Sequence, residues 1–295
     1  MHCELLVPGL FGNHADGRFA ALELLLARAR RRHGAARTVE TWLQERFELG
    51  DAPFPAGALT VLASGGDPGA SNWTRADPAH VRVMRDHVAT APADAYTLSQ
   101  SEADTLCEAL SRHFAGQLEV QACEPQRWSA RLPGDTQPGD VLLNEAQMLL
   151  HAHPVNEARE ARGELPINSL KLWGAGHAPS SAHCDWLSVS ADDPAVRGAA
   201  RLAGARHRPL PASAQEWLER LPEDGRHLAL LDARQAALAE LEPLWFAPLL
   251  AALRAGRVGM LTLHVPDAAE EVSFETIRGD LRRFWRLTKP IEHYA

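Results

Sequence analysis

Short apolar runs alternate with segments of helical periodicity along most of the chain, which predicts alternating strands and helices. We predict strands over residues 3–8, 57–66, 169–174, 185–190, 227–232 and 258–266. Residues 117–133 alternate between apolar and polar positions on both sides of a Glu-Pro pair, which predicts a hairpin. Strands that alternate with helices favour an α/β fold with a mainly parallel sheet and flanking helices.

Helices are predicted where apolar residues recur at helical spacing, over residues 17–33, 38–48, 99–114, 140–162, 193–203, 212–220 and 233–255. Thr38 fits the N-cap of the second of these, and Ser99 with Glu102 forms a capping-box pattern at the third. Pro154 should break or bend its helix, because proline cannot donate to the preceding turn. Residues 274–290 fit either a strand at a hairpin edge or a short helix.

Composition limits the classes of protein that the chain can belong to. With 295 residues, 45% of them apolar and 23% charged, it is long enough for one large domain or two coupled ones. The net charge of −8 argues against nucleic acid as a partner, because phosphates require a basic face. The four cysteines lack CxxC spacing, and no apolar segment is long enough to cross a membrane. We therefore expect reduced thiols and a cytoplasmic protein.

The first cluster of candidate chemistry surrounds an Asp-Pro pair and contains Arg75, Asp77, His80 and Arg82. Guanidinium groups match oxyanions in shape and charge, so this cluster is a candidate phosphate or carboxylate site. Taken alone, a proline turn with solvated charges explains the same residues.

The second cluster lies on the helix that begins near Pro154 and on the strand after it. His153, Asn156 and Arg159 are spaced by three residues, so they share one helix face that suits a polar ligand or a neighbouring loop's backbone. The Gly174–Gly176 turn follows a strand, and its backbone is able to approach a phosphate. The alternative for this turn is a tight strand exit.

The third cluster, residues 177–185, contains the residue types of a metal site or of a nucleophile-base site: His177, Ser180, Ser181, His183, Cys184 and Asp185. No GxSxG or HExxH motif accompanies them, so nothing fixes their order or role.

Residues 153–176 resemble the archaeal-type cofactor-independent phosphoglycerate mutases of the alkaline phosphatase superfamily. The matching positions are His153-Pro154-Val155-Asn156, Arg159, Gly163, Pro166, Asn168, Leu172-Trp173-Gly174 and Gly176. Residues 75–80 resemble an Asp-x-Asp-Pro-His element of that family, with Arg in place of the first Asp and one residue inserted before the His, and residues 189–205 match a third segment. The chain also resembles a group of short proteobacterial proteins that are labelled phosphoglycerate mutase or RpfE-type regulatory protein.

The resemblance implies a trimmed alkaline-phosphatase-like core over 1–70 and 185–295, with a smaller mixed subdomain inserted over 71–184. It also implies a ligand pocket built from Arg75, Asp77, His80, His153, Asn156, Arg159, Asn168, Trp173, Gly174 and Gly176. A purely structural role for the same residues is an equal alternative, because buried polar groups must find partners whatever the function.

The resemblance further implies a serine nucleophile between two divalent metals, such as Mn or Mg, but the ligand motifs are incomplete. Pro8-Gly9 stands where the family has Asp-Gly, Asp232 lacks the histidine four residues later, and Leu263-His264 stands where Asp-His is expected. Weak candidates for a rearranged metal site are His177, His183, Asp185, Asp232 and His264.

Three hypotheses follow from these patterns. The first is a catalytically degenerate protein that binds a phosphorylated or carboxylate ligand as a sensor or regulator, without a cofactor. The second is an active, metal-dependent mutase or phosphatase with a rearranged metal site. The third is an interaction protein without a small-molecule ligand, which would display residues 282–287 and Trp245-Phe246 to a protein partner.

Overall fold

The computed structural model describes residues 1–12, 17–83, 88–91, 95–134, 139–222, 224–267 and 269–294. Contacts divide the chain into two compact units. The first unit comprises residues 1–48, 183–193 and 203–295, and the second comprises residues 49–182 and 194–202. Residues 49–70 and 194–202 thus group with the second unit, whereas the sequence-based bounds of 71–184 assign them to the core.

The described residues form strands that we number in chain order: β1 His2–Leu6, β2 Arg30–Gly34, β3 Asn72–Ala79, β4 Val81–Val83, β5 Val88–Thr90, β6 Glu119–Glu124, β7 Arg127–Leu132, β8 Ser169–Gly176, β9 Ser188–Ser190, β10 Arg206–Arg208, β11 Arg226–Leu230, β12 Met260–Val265 and β13 Glu271–Ile277. The helices are α1 Ala20–Arg28, α2 Val39–Arg46, α3 Ala56–Ala63, α4 Gln100–His113, α5 Asp140–His151, α6 Pro154–Ala161, α7 Pro194–Leu202, α8 Ala214–Arg220, α9 Leu238–Leu241 and α10 Ala247–Ala255. A π-helical turn, Glu242–Phe246, joins α9 to α10, and short 3-10 helices span Asp280–Arg282 and Ile291–Tyr294.

The first unit is built on a seven-stranded sheet in the order β10-β9-β11-β1-β12-β13-β2. The five strands from β10 to β12 are parallel, and β13 runs antiparallel to both of its neighbours. Leu5, Leu261 and Leu263 are fully buried in the core that this sheet shares with α1 and α10. The predicted α/β class, with a mainly parallel sheet and flanking helices, is confirmed.

The second unit contains a separate antiparallel sheet in the order β6-β7-β3-β8. One face packs on α4 and α5 through an apolar cluster that includes Trp128, Leu106 and Leu110. The other face meets α3, where Ala58 and Val61 pack against Trp73. The two faces of β3 therefore contact different helices, which places its alternating residues in two separate environments.

The strand predicted over 57–66 is wrong, because these residues form helix α3. A short apolar run has no periodicity that separates a buried strand from a buried helix. The packing decides for the helix: a Cβ on Gly57 would lie 2.6 Å from the backbone of Thr74, so the helix backbone approaches β3 closely.

Three further predictions differ from the structure, two of them at the bounds of a helix and one in the type of element. The helix predicted over 17–33 ends at Arg28, and the arginines after it form edge strand β2, which pairs with β13. Asp77-Pro78 lies within β3 and is not a turn. The helix predicted from residue 233 begins at Leu238.

Local signals for helix ends and for the hairpin are confirmed. Thr38 caps α2, Ser99 and Glu102 form the capping box of α4, and His153 precedes a new helix that begins at Pro154. Strands β6 and β7 form the predicted hairpin. In the described ranges, no helix is long and apolar enough to cross a membrane.

Candidate functional site

Arg75, Asp77 and Trp173 form one interacting group on the α3 face of the second sheet. The guanidinium of Arg75 donates from Nε and NH2 to Asp77 Oδ1, at 3.0 and 2.6 Å, and from NH1 to Thr60. The indole of Trp173 donates to Asp77 Oδ2 at 2.9 Å, and the Arg75 guanidinium lies 5.1 Å from its ring. Arg75 is fully buried, and its charge is balanced by Asp77.

His80 and Asn168 join the end of β3 to the loop before β8. His80 Nδ1 lies 2.8 Å from the carbonyl oxygen of Pro166, and Asn168 hydrogen bonds both backbone groups of Val81. His80 Nε2 is buried and has no partner among the described residues.

His153, Asn156 and Arg159 occur together in helix α6, as predicted, and their polar atoms meet neighbouring backbone. His153 Nδ1 accepts from the backbone N–H of Val155 and so caps the helix. Asn156 donates to the carbonyls of Leu150 and Ile167 and accepts from the N–H of Ile167.

The fully buried Arg159 continues this network along the same helix face. It donates from Nε to the carbonyl of Leu165 at 3.0 Å and forms 3.3 Å ion pairs with Glu102 and Glu164. The three predicted residues therefore hold the helix ends and the loop before β8 in place.

Gly174 and Gly176 lie at the end of β8 against the first residues of α3. Gly174 has a φ of +61°, and a Cβ there would lie 2.5 Å from the Cβ of Ala56. A Cβ on Gly176 would lie 2.9 Å from Pro55. Both glycines thus allow a close approach of helix and strand, which favours the structural role for residues 153–176.

The carboxyl ends of β11, β1 and β12 lie side by side in the first unit, which is where the resemblance implies metal ligands. Asp232 follows β11, and its two oxygens accept from Arg234 at 2.8 and 2.7 Å and from Gln235 at 2.9 Å. Gly9 follows β1 with a φ of +76°, and a Cβ there would lie 2.4 Å from Cγ of Arg234. The Arg234 side chain therefore lies against Gly9, and a guanidinium supplies the cation that pairs with Asp232.

His264, near the end of β12, is buried between two carboxylates. Its Nε2 lies 3.1 Å from Glu4 Oε2 on β1, and its Nδ1 lies 3.8 Å from Glu271 Oε1 on β13. Arg226 donates to Glu4 at 2.8 Å. The carboxylates are thus held by partners on both sides of the imidazole.

Trp42 of α2 covers this group from one side of the sheet. Its indole donates to Glu271 at 3.0 Å, and its ring centre lies 5.1 Å from that of His264. Arg37 donates to the second oxygen of Glu271 at 2.5 Å.

The charges of this network reinforce one another. Burial favours neutral forms, but hydrogen bonds from His264 and Arg226 outweigh it and lower the pKa of Glu4 to about 2. The His264 imidazole 3.8 Å away and the hydrogen bonds from Trp42 and Arg37 likewise lower the pKa of Glu271 to about 2. Burial would lower the pKa of His264, yet the nearby carboxylate of Glu271 and the hydrogen bond to Glu4 raise it above its ordinary value.

Solved structures that are similar to this chain include two neighbours at low sequence identity. One is the cofactor-independent phosphoglycerate mutase from Thermoplasma acidophilum DSM 1728, with a TM-score of 0.52 and 16% identity over 100% of this chain and 94% of the other. The second is the PH0037 protein from Pyrococcus horikoshii, with a TM-score of 0.59 and 14% identity over 99% of this chain and 91% of the other. No family model and no curated protein sequence matches the chain.

The chain has a phosphoglycerate-mutase-like fold. At these identities the likeness concerns the fold alone. The likeness agrees with the mainly parallel α/β fold predicted from the sequence, whereas activity and ligand are separate questions.

The residues at the strand ends of this mutase-like fold do not fit a pair of divalent metals. Asp232 is bound by Arg234, and the carboxylates beside His264 are bound by arginines and by the Trp42 indole. Over the ranges that the structure describes, no three His, Cys, Asp or Glu side chains are arranged to hold a metal ion. Hard divalent ions need such a set of oxygen and nitrogen donors.

The other weak metal candidates lie on exposed segments. His177 Nδ1 is 3.1 Å from the carbonyl oxygen of Ala70 in the second unit. In the first unit, His183 Nε2 is 3.9 Å from Asp185 Oδ1, and Asp185 also accepts from Arg226 at 2.5 Å. Each of these groups has a partner other than a metal.

The sequence patterns missed Glu4, Glu271 and Arg226, which surround His264 in the mutase-like fold. One signal was available: Glu4 is a charged residue inside the apolar run of β1, and a buried charge requires a partner. The spacing of residues does not identify the partner of Glu4, because His264 is 260 positions away.

Proposed function

We propose that the chain is a catalytically degenerate protein with a phosphoglycerate-mutase-like fold, and that it acts by binding a phosphorylated or carboxylate small molecule as a sensor or regulator. The observation that carries this proposal is the ion pair between Asp232 and Arg234 at the strand ends. A fixed guanidinium there takes the place of a metal cation as the partner of the carboxylate.

Two-metal phosphoryl transfer needs both ions, because they stabilise the attacking and the leaving oxygen together. Asp232 has no free oxygen to offer, and His264 is held by Glu4 on the side of its Nε2. Pro8 supplies no donor side chain after β1. Each of the three positions thus supports the loss of metal chemistry by a different substitution or contact.

Binding without turnover agrees with the other features of the chain. The fold keeps a large, ordered α/β core, and the four cysteines are free thiols, which supports a cytoplasmic location as part of the proposal. Because the net charge is −8, the chain as a whole repels small anions, so binding of an anion requires a local basic pocket.

The direct test is a turnover assay with the purified chain. Interconversion of 2- and 3-phosphoglycerate and hydrolysis of p-nitrophenyl phosphate are measured with Mn²⁺, with Mg²⁺ and with chelator. We expect no metal-dependent turnover, and no stabilisation by Mn²⁺ in a thermal melt.

Turnover that requires added metal and disappears in Asp232→Asn would overturn the proposal and support the active-enzyme hypothesis. Glu240→Gln is the matched control, since Glu240 is an exposed carboxylate on α9, away from the strand ends.

A second candidate function, display of a protein-binding surface, is favoured by one observation. Phe284, Trp285 and Leu287 are 77%, 66% and 76% exposed, which is unusual for large apolar side chains. The expectation that Trp245-Phe246 belongs to such a surface is wrong: both lie within the π-helical turn and are buried in the core.

The interaction hypothesis predicts that capture of a defined partner is lost in the double variant Phe284→Ser, Trp285→Ser. It should persist in Leu244→Ser, which alters another exposed apolar residue, 45% exposed. Equal capture by both variants would exclude the 282–287 segment as the surface.

A further inference from the structure

A small basic pocket lies in the first unit at the edge of the seven-stranded sheet, between strands β9 and β10 and helix α8. Its volume is about 50 Å³, several times what a single water molecule requires. Arg206 pairs with Ser188 and Arg208 with Ser190 in the parallel register, so these four side chains share the sheet face that α8 covers.

The charge of the pocket is positive and has no acidic counterpart in its lining. Arg206, Arg208 and Arg220 line it, and no Asp or Glu does. Arg220 forms an ion pair with Glu216 one helical turn earlier. Within the described residues, Arg206 and Arg208 have no hydrogen bond or ion pair to a carboxylate. Two guanidinium groups thus remain available to an anion.

Two serine hydroxyls form the polar floor of the pocket. Ser190 is 6% exposed, and its Oγ accepts from the indole Nε1 of Trp217 at 3.1 Å. Among the described residues its hydroxyl proton has no acceptor, so it is free for a ligand oxygen. Ser188 Oγ lies 2.8 Å from His227 Nδ1.

The remaining wall is apolar and consists of Pro209, Pro211, Leu221 and Pro222 together with the Trp217 ring. A ligand that satisfies both parts must carry an oxyanion at one end and a small apolar group at the other. Guanidinium forks match phosphate and carboxylate oxygens, and a phosphoryl group offers enough acceptors for two arginines and a serine.

We propose that this pocket binds a phosphomonoester with a small apolar substituent, through Arg206, Arg208 and Ser190. The proposal rests on the proposed function, since it names the site and ligand class of a protein that binds without turnover. None of these residues lies in the segments that resemble the mutase ligand motifs, apart from Ser190 at the start of the third segment.

The experiment follows the indole N–H signals of the eight tryptophans by NMR during titration with phenyl phosphate, inorganic phosphate, benzoate and phenol. Trp217→Phe assigns the signal of the indole that donates to Ser190. We expect this signal to shift with phenyl phosphate, less with inorganic phosphate and benzoate, and not with phenol. The apparent affinity should fall with added salt.

The double variant Arg206→Gln, Arg208→Gln is expected to weaken phenyl phosphate binding roughly tenfold or more, because charge-assisted hydrogen bonds are lost. Arg254→Gln, an exposed arginine of α10, is the matched control and should leave the affinity unchanged. Equal binding of benzoate would overturn the assignment to a phosphate, and binding that the double variant leaves unchanged would overturn the pocket.

The two proposals fail separately. Metal-dependent turnover by the wild-type chain contradicts the proposed function whatever the pocket binds. Absence of turnover together with an unshifted Trp217 signal leaves the proposed function standing and rejects the arginine pocket.

Discussion

Arg234 and Asp232 form a two-point ion pair, Nε to Oδ1 at 2.8 Å and NH2 to Oδ2 at 2.7 Å, directly after strand β11. The Arg234 side chain crosses to the neighbouring strand end, where it lies against Gly9. A carboxylate that resembles a metal ligand by its position is therefore satisfied inside the chain, and this pairing underlies the proposed loss of catalysis.

The contact between Gly9 and Arg234 predicts non-additive stability effects. Gly9→Ala should lower the free energy of unfolding by about 1–2 kcal/mol from its left-handed φ, with a further cost from the overlap with Arg234 Cγ. In the double variant with Arg234→Ala, the overlap with Cγ disappears, and the cost of the left-handed φ should remain together with a milder 3.2 Å contact to the backbone N of residue 234. Denaturant unfolding of the two single variants and the double variant measures this coupling, and strict additivity would contradict the contact.

The buried group around His264 predicts a stability maximum at mildly acidic pH. The folded-state pKa of His264 is raised from 6.5, so its contribution is full below about pH 6.5 and is lost as the pH rises through the folded value. The pKa values of Glu4 and Glu271 are lowered from 4.5 to about 2, so their contribution is full above about pH 4.5 and lost toward pH 2.

Thermal melts of wild type and His264→Gln between about pH 4 and pH 9 test this pH dependence. The difference in Tm between the two should be largest near pH 5.5 and should shrink toward alkaline pH. His33→Gln is the control, because His33 is exposed on edge strand β2. A difference that does not vary with pH would show that the pKa of His264 is the same in the folded and unfolded chain, and a difference that shifts in favour of wild type toward alkaline pH would show that His264 is neutral when folded.

The hydrogen bonds of Asn156 predict that the stretch resembling the mutase motif stabilises the folded chain. Asn156→Ala removes the hydrogen bonds to the buried N–H and carbonyl of Ile167 and one of those to the Leu150 carbonyl, so we expect a loss of about 2–3 kcal/mol in the free energy of unfolding. Glu157→Ala, on the exposed side of the same helix, should change it by less than about 0.5 kcal/mol. Urea unfolding compares them, and a change below 1 kcal/mol for Asn156→Ala would argue for a ligand role instead.

The cysteines predict a graded reactivity in the folded chain. Burial raises the pKa of Cys3 to about 12 and also raises the pKa of Cys107, so both thiols should resist alkylation at pH 8. Cys184 is only half-buried and should react first. Iodoacetamide labelling followed by peptide mapping checks the order, and denatured protein, in which all four react, is the control.

Signals that lie within a few residues of one another were sufficient to predict much of the secondary structure. The caps at Thr38 and Ser99, the helix start at Pro154 and the hairpin around Pro125 depend on contacts between near neighbours, and these contacts hold in any tertiary context. The alternation of strands and helices likewise predicted the α/β class, because only a parallel sheet with crossover helices accommodates it.

The predicted ligand site differs from the observed arrangement because many of its polar groups pair with residues that are distant in sequence. The sequence predicts that Arg75 binds an anion, but in the folded chain Asp77, Trp173 and Thr60 contact its guanidinium. By sequence, His264 is a candidate metal ligand. In the folded chain Glu4, 260 positions away, lies beside it and is its partner.

The sequence alone therefore determined the fold class, the helix caps and the residue types available for chemistry, because these depend on composition and on short-range spacing. Only the tertiary structure decided that residues 56–63 are a helix, that residues 30–34 are a strand, and which charges neutralise one another. Strand partners and ion pairs are chosen by packing between distant segments, and no local pattern records that choice.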